Sequence, residues 1–230
     1  MIRNLPAFIA GMAMFIVAPA FSQLRYGPHF GTTFTSFASD NTGFSGNLGL
    51  VVGGTVEYDL TSAAQLFANL DYNQIRGGLN SPPTVIGNTT IVENNVFTLH
   101  AAEASLLASY RFPIPFFGSA TPKLVGGGSV AYNFYTNAQR NVSFYSNDSR
   151  SSISGSENVT DSFEPFLYSV QGGLQFEFLL SDAHITAVSF DIRYRRNINA
   201  VMSGLSLYGQ GGASDVYANS LIITFGFRFK

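Results

Sequence analysis

The sequence predicts an all-β fold, a closed eight-stranded antiparallel up-and-down barrel preceded by a signal peptide. Three observations lead to this fold class. Apolar and polar residues alternate in eight successive segments, which is the pattern of strands with one apolar face. Charged residues are scarce although no long apolar run follows the N-terminus. Short connections also alternate with long ones along the chain.

The composition excludes several classes of protein. Charged residues make up 11% of the chain and hydrophobic residues 46%, whereas soluble domains carry roughly 25% charged residues. No later stretch reaches the roughly 18 apolar residues of a membrane-spanning helix. A net charge of −2 offers no basic surface, so no nucleic-acid partner is expected. Cysteine is absent, which excludes disulfides, thiol catalysis, thiolate metal sites and a cysteine-linked lipid anchor.

The N-terminal residues have the pattern of a secretory signal peptide. Arg3 supplies the positive charge, residues 5–18 form the apolar segment, and small residues follow. Cleavage is expected after Ser22 or, alternatively, after Ala20. The predicted parts are a signal peptide, residues 1–22, and one barrel domain, residues 23–230.

Eight strands are predicted in order along the mature chain. In each of them, large apolar residues recur at every second position between small, polar or charged ones. The last strand shows this most clearly, because Phe225, Phe227 and Phe229 alternate with Gly226 and Arg228. The predicted bounds are 24–38, 45–60, 64–76, 96–112, 122–137, 165–180, 185–197 and 217–229.

The connections between these strands differ at the two ends of the predicted barrel. Those after strands two and six are tight, and residues 113–121 form a somewhat longer turn. Those after strands one, three, five and seven are longer and rich in Asn, Ser and Gly, with the extreme at residues 138–164. Short turns at one end and long loops at the other are typical of bacterial outer-membrane barrels.

The side-chain parity predicts an apolar exterior and a charged interior, so the barrel is expected to be transmembrane. In strand six, Phe166 and Tyr168 precede Phe176 and Phe178 by ten positions, or about 25 Å along a tilted barrel axis. This spacing fits two aromatic belts at the membrane interfaces. A soluble barrel of the lipocalin kind would need the reverse polarity.

Strand four departs from this parity. Phe97 and Leu99 fall on the inward face, whereas His100 falls on the outward face. We therefore expect a β-bulge in this strand that restores the alternation.

Four segments of the chain share a pattern of alternating aromatic, glycine and charged residues: 24–31 (LRYGPHFG), 170–178 (VQGGLQFEF), 192–195 (IRYR) and 223–229 (ITFGFRF). With these segments the chain resembles one family, the small outer-membrane β-barrels of the PorT-like and OmpA-like eight-stranded kind. The resemblance implies location in the bacterial outer membrane and contact with its lipid. It also implies insertion by the outer-membrane assembly machinery, which recognises an aromatic C-terminal strand. The residues expected to form that signal are Phe225, Phe227 and Phe229.

The inward parity collects six acidic and six basic side chains, and we expect them to pair. An eight-stranded barrel is only wide enough for its own side chains, and an unpaired buried charge costs several kcal/mol. The predicted interior charge network consists of Arg25, Glu57, Asp59, Asp71, Glu103, Arg111, Lys123, Glu177, Asp191, Arg193, Arg195 and Arg228. A narrow passive channel, porin-like, for ions or small solutes is the alternative interpretation of these charges.

No motif for catalysis, a cofactor or a metal is present, so no such site is expected. His29, His100 and His184 lie in no triad or metal-ligand spacing. A rim enzyme would require His100 to meet a carboxylate and a hydroxyl, with Asp161, Ser162 and Glu93 in the nearby loops. Neither glycine-rich segment, 126–128 or 209–212, continues into a phosphate-binding motif.

The long loop over residues 138–164 is the candidate binding site. It carries aromatic and arginine side chains among small polar ones, a composition common in adaptable binding surfaces. The candidate residues are Arg140, Phe144, Tyr145 and Arg150. We therefore predict a non-enzymatic structural, loop-mediated binding or secretion-associated envelope protein. Its partner is expected to be an extracellular ligand or another envelope protein.

Overall fold

A computed structural model describes most of the chain from residue 24 onwards. The described ranges are 24–38, 43–80, 83–113, 120–146, 149–180, 185–205 and 214–229. The predicted signal peptide and its cleavage site lie outside these ranges, as do His184, residues 209–212 and Lys230.

The described residues form eleven strands and one short 3-10 helix, Thr160–Ser162. The strands are β1 Leu24–Ala38, β2 Gly43–Asp59, β3 Ala64–Asn80, β4 Thr84–Ile86, β5 Thr89–Arg111, β6 Ala120–Ser146, β7 Ser149–Asn158, β8 Phe166–Leu179, β9 Ile185–Asn197, β10 Met202–Leu205 and β11 Ser214–Phe229. Within these ranges, no helix has the length and apolar character needed to cross a membrane.

Eight of the strands close into an antiparallel ring in the order β1, β2, β3, β5, β6, β8, β9 and β11. The last strand pairs with the first from Tyr26–Phe229 to Ala38–Tyr217. Closure satisfies the backbone groups that an edge strand would leave unpaired in lipid. The predicted closed eight-stranded barrel is confirmed, and β4, β7 and β10 lie outside the ring.

The exterior of the ring is apolar, as the parity predicts. Phe30, Leu70 and Leu106 are among its exposed side chains. We call the end of the barrel at which Leu24 and Phe229 lie the inner end, and we call the opposite end the outer end. At the inner end the rings of Tyr26 and Phe229 are 6.2 Å apart. Towards the outer end those of Tyr132 and Phe166 are 5.3 Å apart.

The structure differs from the sequence prediction in β5 and β6, which are longer than expected. The prediction of a long loop over residues 138–164 is wrong. β5 and β6 extend to Thr89 and Ser146, and β7 occupies part of the segment expected to be irregular. Asn94 pairs with Asn141, and Asn141 with Ser154. The outer parts of β5 and β6, and all of β7, carry mostly polar residues on both faces, so no regular apolar alternation in the sequence reveals them as strands.

The expected β-bulge lies on β6, the neighbour of the strand for which it was predicted. His100 pairs with Tyr135 and Ala101 with Asn133, so Phe134 is the extra residue. Phe97 and Leu99 therefore remain inward and buried. Their inward orientation is part of the fold, because both belong to an apolar cluster that fills the outer part of the lumen.

Candidate functional site: a charge-paired lumen beneath an extracellular sheet

Glu177 is the centre of the ion cluster at the inner end of the lumen. Its Oε1 lies 2.6 Å from Nη1 of Arg25, and its Oε2 lies 2.9 Å from Nζ of Lys123 and 3.2 Å from Nη2 of Arg111. Lys123 is fully buried and also lies 5.8 Å from the centre of the Phe67 ring. One carboxylate thus neutralises cations from three different strands.

Glu57 shares Arg25 with Glu177 and adds one further cation, Arg228, to this cluster. It pairs with Nη2 of Arg25 at 3.2 Å and with Nε of Arg228. Asp59 is partly exposed at the mouth and lies 3.6 Å from the same Arg25 nitrogen. The guanidinium of Arg25 therefore links three carboxylates, which closes the inner mouth with paired charges.

A second group of ions lies higher in the lumen. Arg195 pairs with Glu103, which also accepts a 2.6 Å hydrogen bond from Nδ2 of Asn73. Arg193 lies 3.9 Å from Asp191. All twelve residues of the predicted network lie on the lumen side or at its inner mouth. Eleven of them have an oppositely charged partner within 4.0 Å, and Asp71 lies beside a histidine instead.

That histidine is His29, which the sequence interpretation left out of the network. Nε2 of His29 lies 2.8 Å from Oδ1 of Asp71, and both side chains are buried. His29 and Asp71 are the two cross-strand neighbours of Gly53, whose missing side chain leaves the space through which they meet. A Cβ at Gly53 would contact Asp71. The inward parity of His29 was the signal that could have placed it here.

The outer part of the lumen is closed by apolar side chains. The rings of Phe97 and Phe163 are 5.4 Å apart, and Leu99, Leu167 and Val201 are fully buried beside them. Some of these residues come from connections between strands, so barrel parity does not predict them. The lumen is thus filled by paired ions below and by apolar packing above.

An extracellular sheet, which we define as the outer part of β4, β5, β6 and β7, continues beyond this plug. Its four candidate binding residues do not form one cluster. Arg140 is 58% exposed and binds Oε1 of Glu93 at 3.0 Å. Arg150 lies 5.2 Å from the centre of the Tyr145 ring near the tip of the hairpin. Phe144 is half-buried beside them.

A polar groove of about 410 Å³ crosses this sheet. It is lined by Asn94, Val96, Gln139, Arg140, Asn141, Ser154, Gly155 and Ser156. Most of these side chains carry amide or hydroxyl groups, which both donate and accept hydrogen bonds. Of the predicted binding residues, Arg140 alone lines this groove. The Asn, Gln and Ser residues were missed because such residues are also ordinary in loops.

His100 does not form the arrangement that a rim enzyme would need. Its Nδ1 is 2.6 Å from the hydroxyl of Tyr72, and its ring lies 5.4 Å from that of Tyr135 on the outward face. Within the described part of the chain, its hydrogen bonding involves no carboxylate. Asp161 and Ser162 lie in the 3-10 helix and are exposed.

A closed barrel with an apolar exterior and a lumen of paired charges is an integral outer-membrane barrel. The chain belongs to the outer membrane protein beta-barrel domain family, whose model matches residues 18–203. This confirms the resemblance at the level of the family and the bacterial outer-membrane location. The narrower PorT-like grouping stays a prediction. A comparison with curated protein sequences gave no match.

Several solved structures are similar to this chain. OprG from Pseudomonas aeruginosa has a TM-score of 0.43 at 12% identity, covering 90% of this chain and 95% of its own. Ail, the attachment invasion locus protein of Yersinia pestis, has a TM-score of 0.39 at 11% identity, covering 90% and 99%. The outer membrane protease OmpT from Escherichia coli has a TM-score of 0.34 at 10% identity, covering 90% and 96%. These likenesses carry no argument about the function of this chain.

Proposed function

We propose that this protein is a non-enzymatic outer-membrane barrel, closed to solutes, that displays its extracellular sheet as a binding surface in the cell envelope. One observation carries the proposal: the lumen is filled along its length, whereas β5 and β6 stay paired with each other far beyond it, with β4 beside β5 and β7 beside β6. The 23 residues of β5 span roughly 75 Å along the strand. An apolar band of about 25 Å accounts for less than half of that length.

The chemistry of the polar groove favours an uncharged ligand rich in hydroxyl groups, such as a neutral saccharide. Gln139 and Asn141 from β6 face the groove beside Ser154 and Ser156 from β7. Their amide and hydroxyl groups can donate to and accept from sugar hydroxyls. The one cation among the lining residues, Arg140, is paired with Glu93. A strongly anionic ligand therefore finds little free positive charge in the groove.

Binding of neutral oligosaccharides should depend on the groove side chains. We expect detergent-solubilised protein to bind members of a neutral glycan array, and Gln139→Ala or Asn141→Ala to weaken each interaction about fivefold through one lost hydrogen bond. Replacing residues 139–156 by an Asn-Gly turn removes six of the eight residues that line the groove and should abolish binding. That variant should keep the heat-resistant gel mobility of the folded barrel, because the barrel pairs below the hairpin are retained.

Ile153→Ala is the matched control for this experiment. Ile153 is 65% exposed in the same hairpin and does not line the groove. Glycan binding that survives the hairpin replacement, or that falls equally in Ile153→Ala, would contradict the proposed surface. Absence of any glycan binding by the unchanged protein would contradict the saccharide class.

The narrow channel is the second candidate function, and bilayer conductance separates it from a closed barrel. A permeating ion would have to pass the Glu177 cluster at the inner mouth and the apolar packing around Leu99. We expect negligible conductance in planar bilayers. Steady single channels on the nanosiemens scale would refute the closed barrel, whereas glycan binding without conductance would support it.

A further inference from the structure

Two arginines, Arg76 and Arg196, have no partner among the residues that the structure describes. The six lumen cations are all paired with carboxylates. Among the other described cations, Arg140 binds Glu93 and Arg150 stacks on Tyr145. For Arg76 and Arg196 the described chain provides no ion pair, hydrogen bond or ring contact.

Both unpartnered arginines lie on the membrane-facing side of the barrel. In β3 the side chains of Asn73 and Ile75 are buried in the lumen. Because side chains alternate along a strand, the side chain of Arg76 points outward. In β9 the neighbours Arg195 and Asn197 are buried, whereas Arg196 is exposed. In the barrel strands, the cations that face the lumen are thus paired with carboxylates, whereas these two outward-facing arginines are not.

The two arginines also lie at the same level, close to the outer membrane surface. Arg76 is twelve residues after Ala64, the first residue of β3, and Arg196 is eleven residues after Ile185, the first residue of β9. With the usual rise and tilt of barrel strands, both stand about 30 Å above the inner ends of those strands. An apolar band of about 25 Å places them among the lipid headgroups of the outer leaflet.

Aromatic and polar side chains surround each position. Arg76 of β3 pairs with Thr98 of β5. The next pair on the same face of the sheet is Gln74 with His100. His100 in turn is bonded to the Tyr72 hydroxyl. Tyr194, two residues before Arg196 in β9, is exposed on the same face. Tyrosines of this kind sit at the headgroup level of membranes, where one end of the ring is apolar and the other is wet.

We propose that Arg76 and Arg196 bind the phosphate groups of anionic lipids in the outer leaflet. A guanidinium fork matches two phosphate oxygens and is always charged. Within the described ranges, neither arginine is paired with a carboxylate that would compete with the phosphate. The lumen cations are neutralised internally, so lipid recognition falls to these two positions. The inference is independent of the polar groove and of its ligand.

The test measures lipid retention by the mature protein in nanodiscs of phosphatidylcholine. The discs contain a minor fraction of either phosphorylated lipid A or its dephosphorylated form, and native mass spectrometry reports the lipid that remains bound. We expect Arg76→Gln and Arg196→Gln each to weaken retention of the phosphorylated lipid about fivefold, the effect of one cation near a charged lipid surface. The double variant should lose both contributions, and the dephosphorylated lipid should be unaffected.

Arg150→Gln is the matched control, because Arg150 is exposed on β7 outside the membrane level. Unchanged gel mobility of the folded form checks that each variant retains the barrel. Equal retention of the two lipids, a double variant that binds like the unchanged protein, or an equal loss in Arg150→Gln would overturn the proposal. So would displacement of the lipid by an equal concentration of inorganic phosphate, since the source would then not be lipid.

Discussion

Replacement of Glu177 by glutamine should lower the free energy of unfolding by about 3–5 kcal/mol, the cost of removing one partner from a buried ion cluster. The substitution keeps the shape of the side chain but removes the charge that faces Arg25, Lys123 and Arg111. Lys123 then loses its ion pair, because Glu177 is the carboxylate that it contacts within the described part of the chain. Urea titration in lipid vesicles, followed by far-ultraviolet circular dichroism, measures the change in a chain without tryptophan.

Two variants identify the cause of this effect. Glu157→Gln makes the same chemical change at an exposed position of β7, and it should leave the free energy of unfolding unchanged within error. Adding Lys123→Met to Glu177→Gln should recover part of the loss, because it removes the unpaired buried ammonium. If Glu177→Gln is as stable as the unchanged protein, the cluster does not hold the inner mouth closed.

Gly173→Ala should destabilise the barrel by about 3 kcal/mol, at the upper end of the cost of overpacking. A Cβ at Gly173 would overlap the carbonyl oxygen of Ile192 and lie 2.7 Å from Cα of Arg193. Both are backbone atoms of β9, the neighbouring strand. They can move only if the pairing of β8 with β9 is distorted. The same urea titration, together with the fraction that refolds into the heat-resistant form, measures the effect.

The adjacent glycine provides the control for this substitution. A Cβ at Gly172 would point outward, where the nearest atom, the carbonyl oxygen of Val125, is 3.6 Å away. Gly172→Ala should therefore be tolerated or slightly stabilising, since alanine restricts the unfolded chain. A similar loss in both variants would mean that glycine is needed for strand flexibility and not for close packing in the lumen.

Residue parity by itself predicts most of the barrel, because side chains of a strand alternate faces whatever their partners are. The outward Phe30 and Leu106 and the inward Glu103 and Arg195 follow from that rule alone. Parity fails as a signal where both faces are polar, so the hairpin that carries Asn141 was expected to be a loop. It also gives no reason for an apolar residue such as Leu99 to point into the lumen.

The sequence alone determined the fold class, the membrane environment and the face on which the twelve network charges lie, since these follow from local alternation. The tertiary structure decided which charges meet. Arg25 and Glu177 are 152 residues apart and come together across the lumen of the closed ring. His29 reaches Asp71 because Gly53 lies between them in the strand register. These contacts depend on the stagger of the closed barrel, a property of all eight strands together that no single segment encodes.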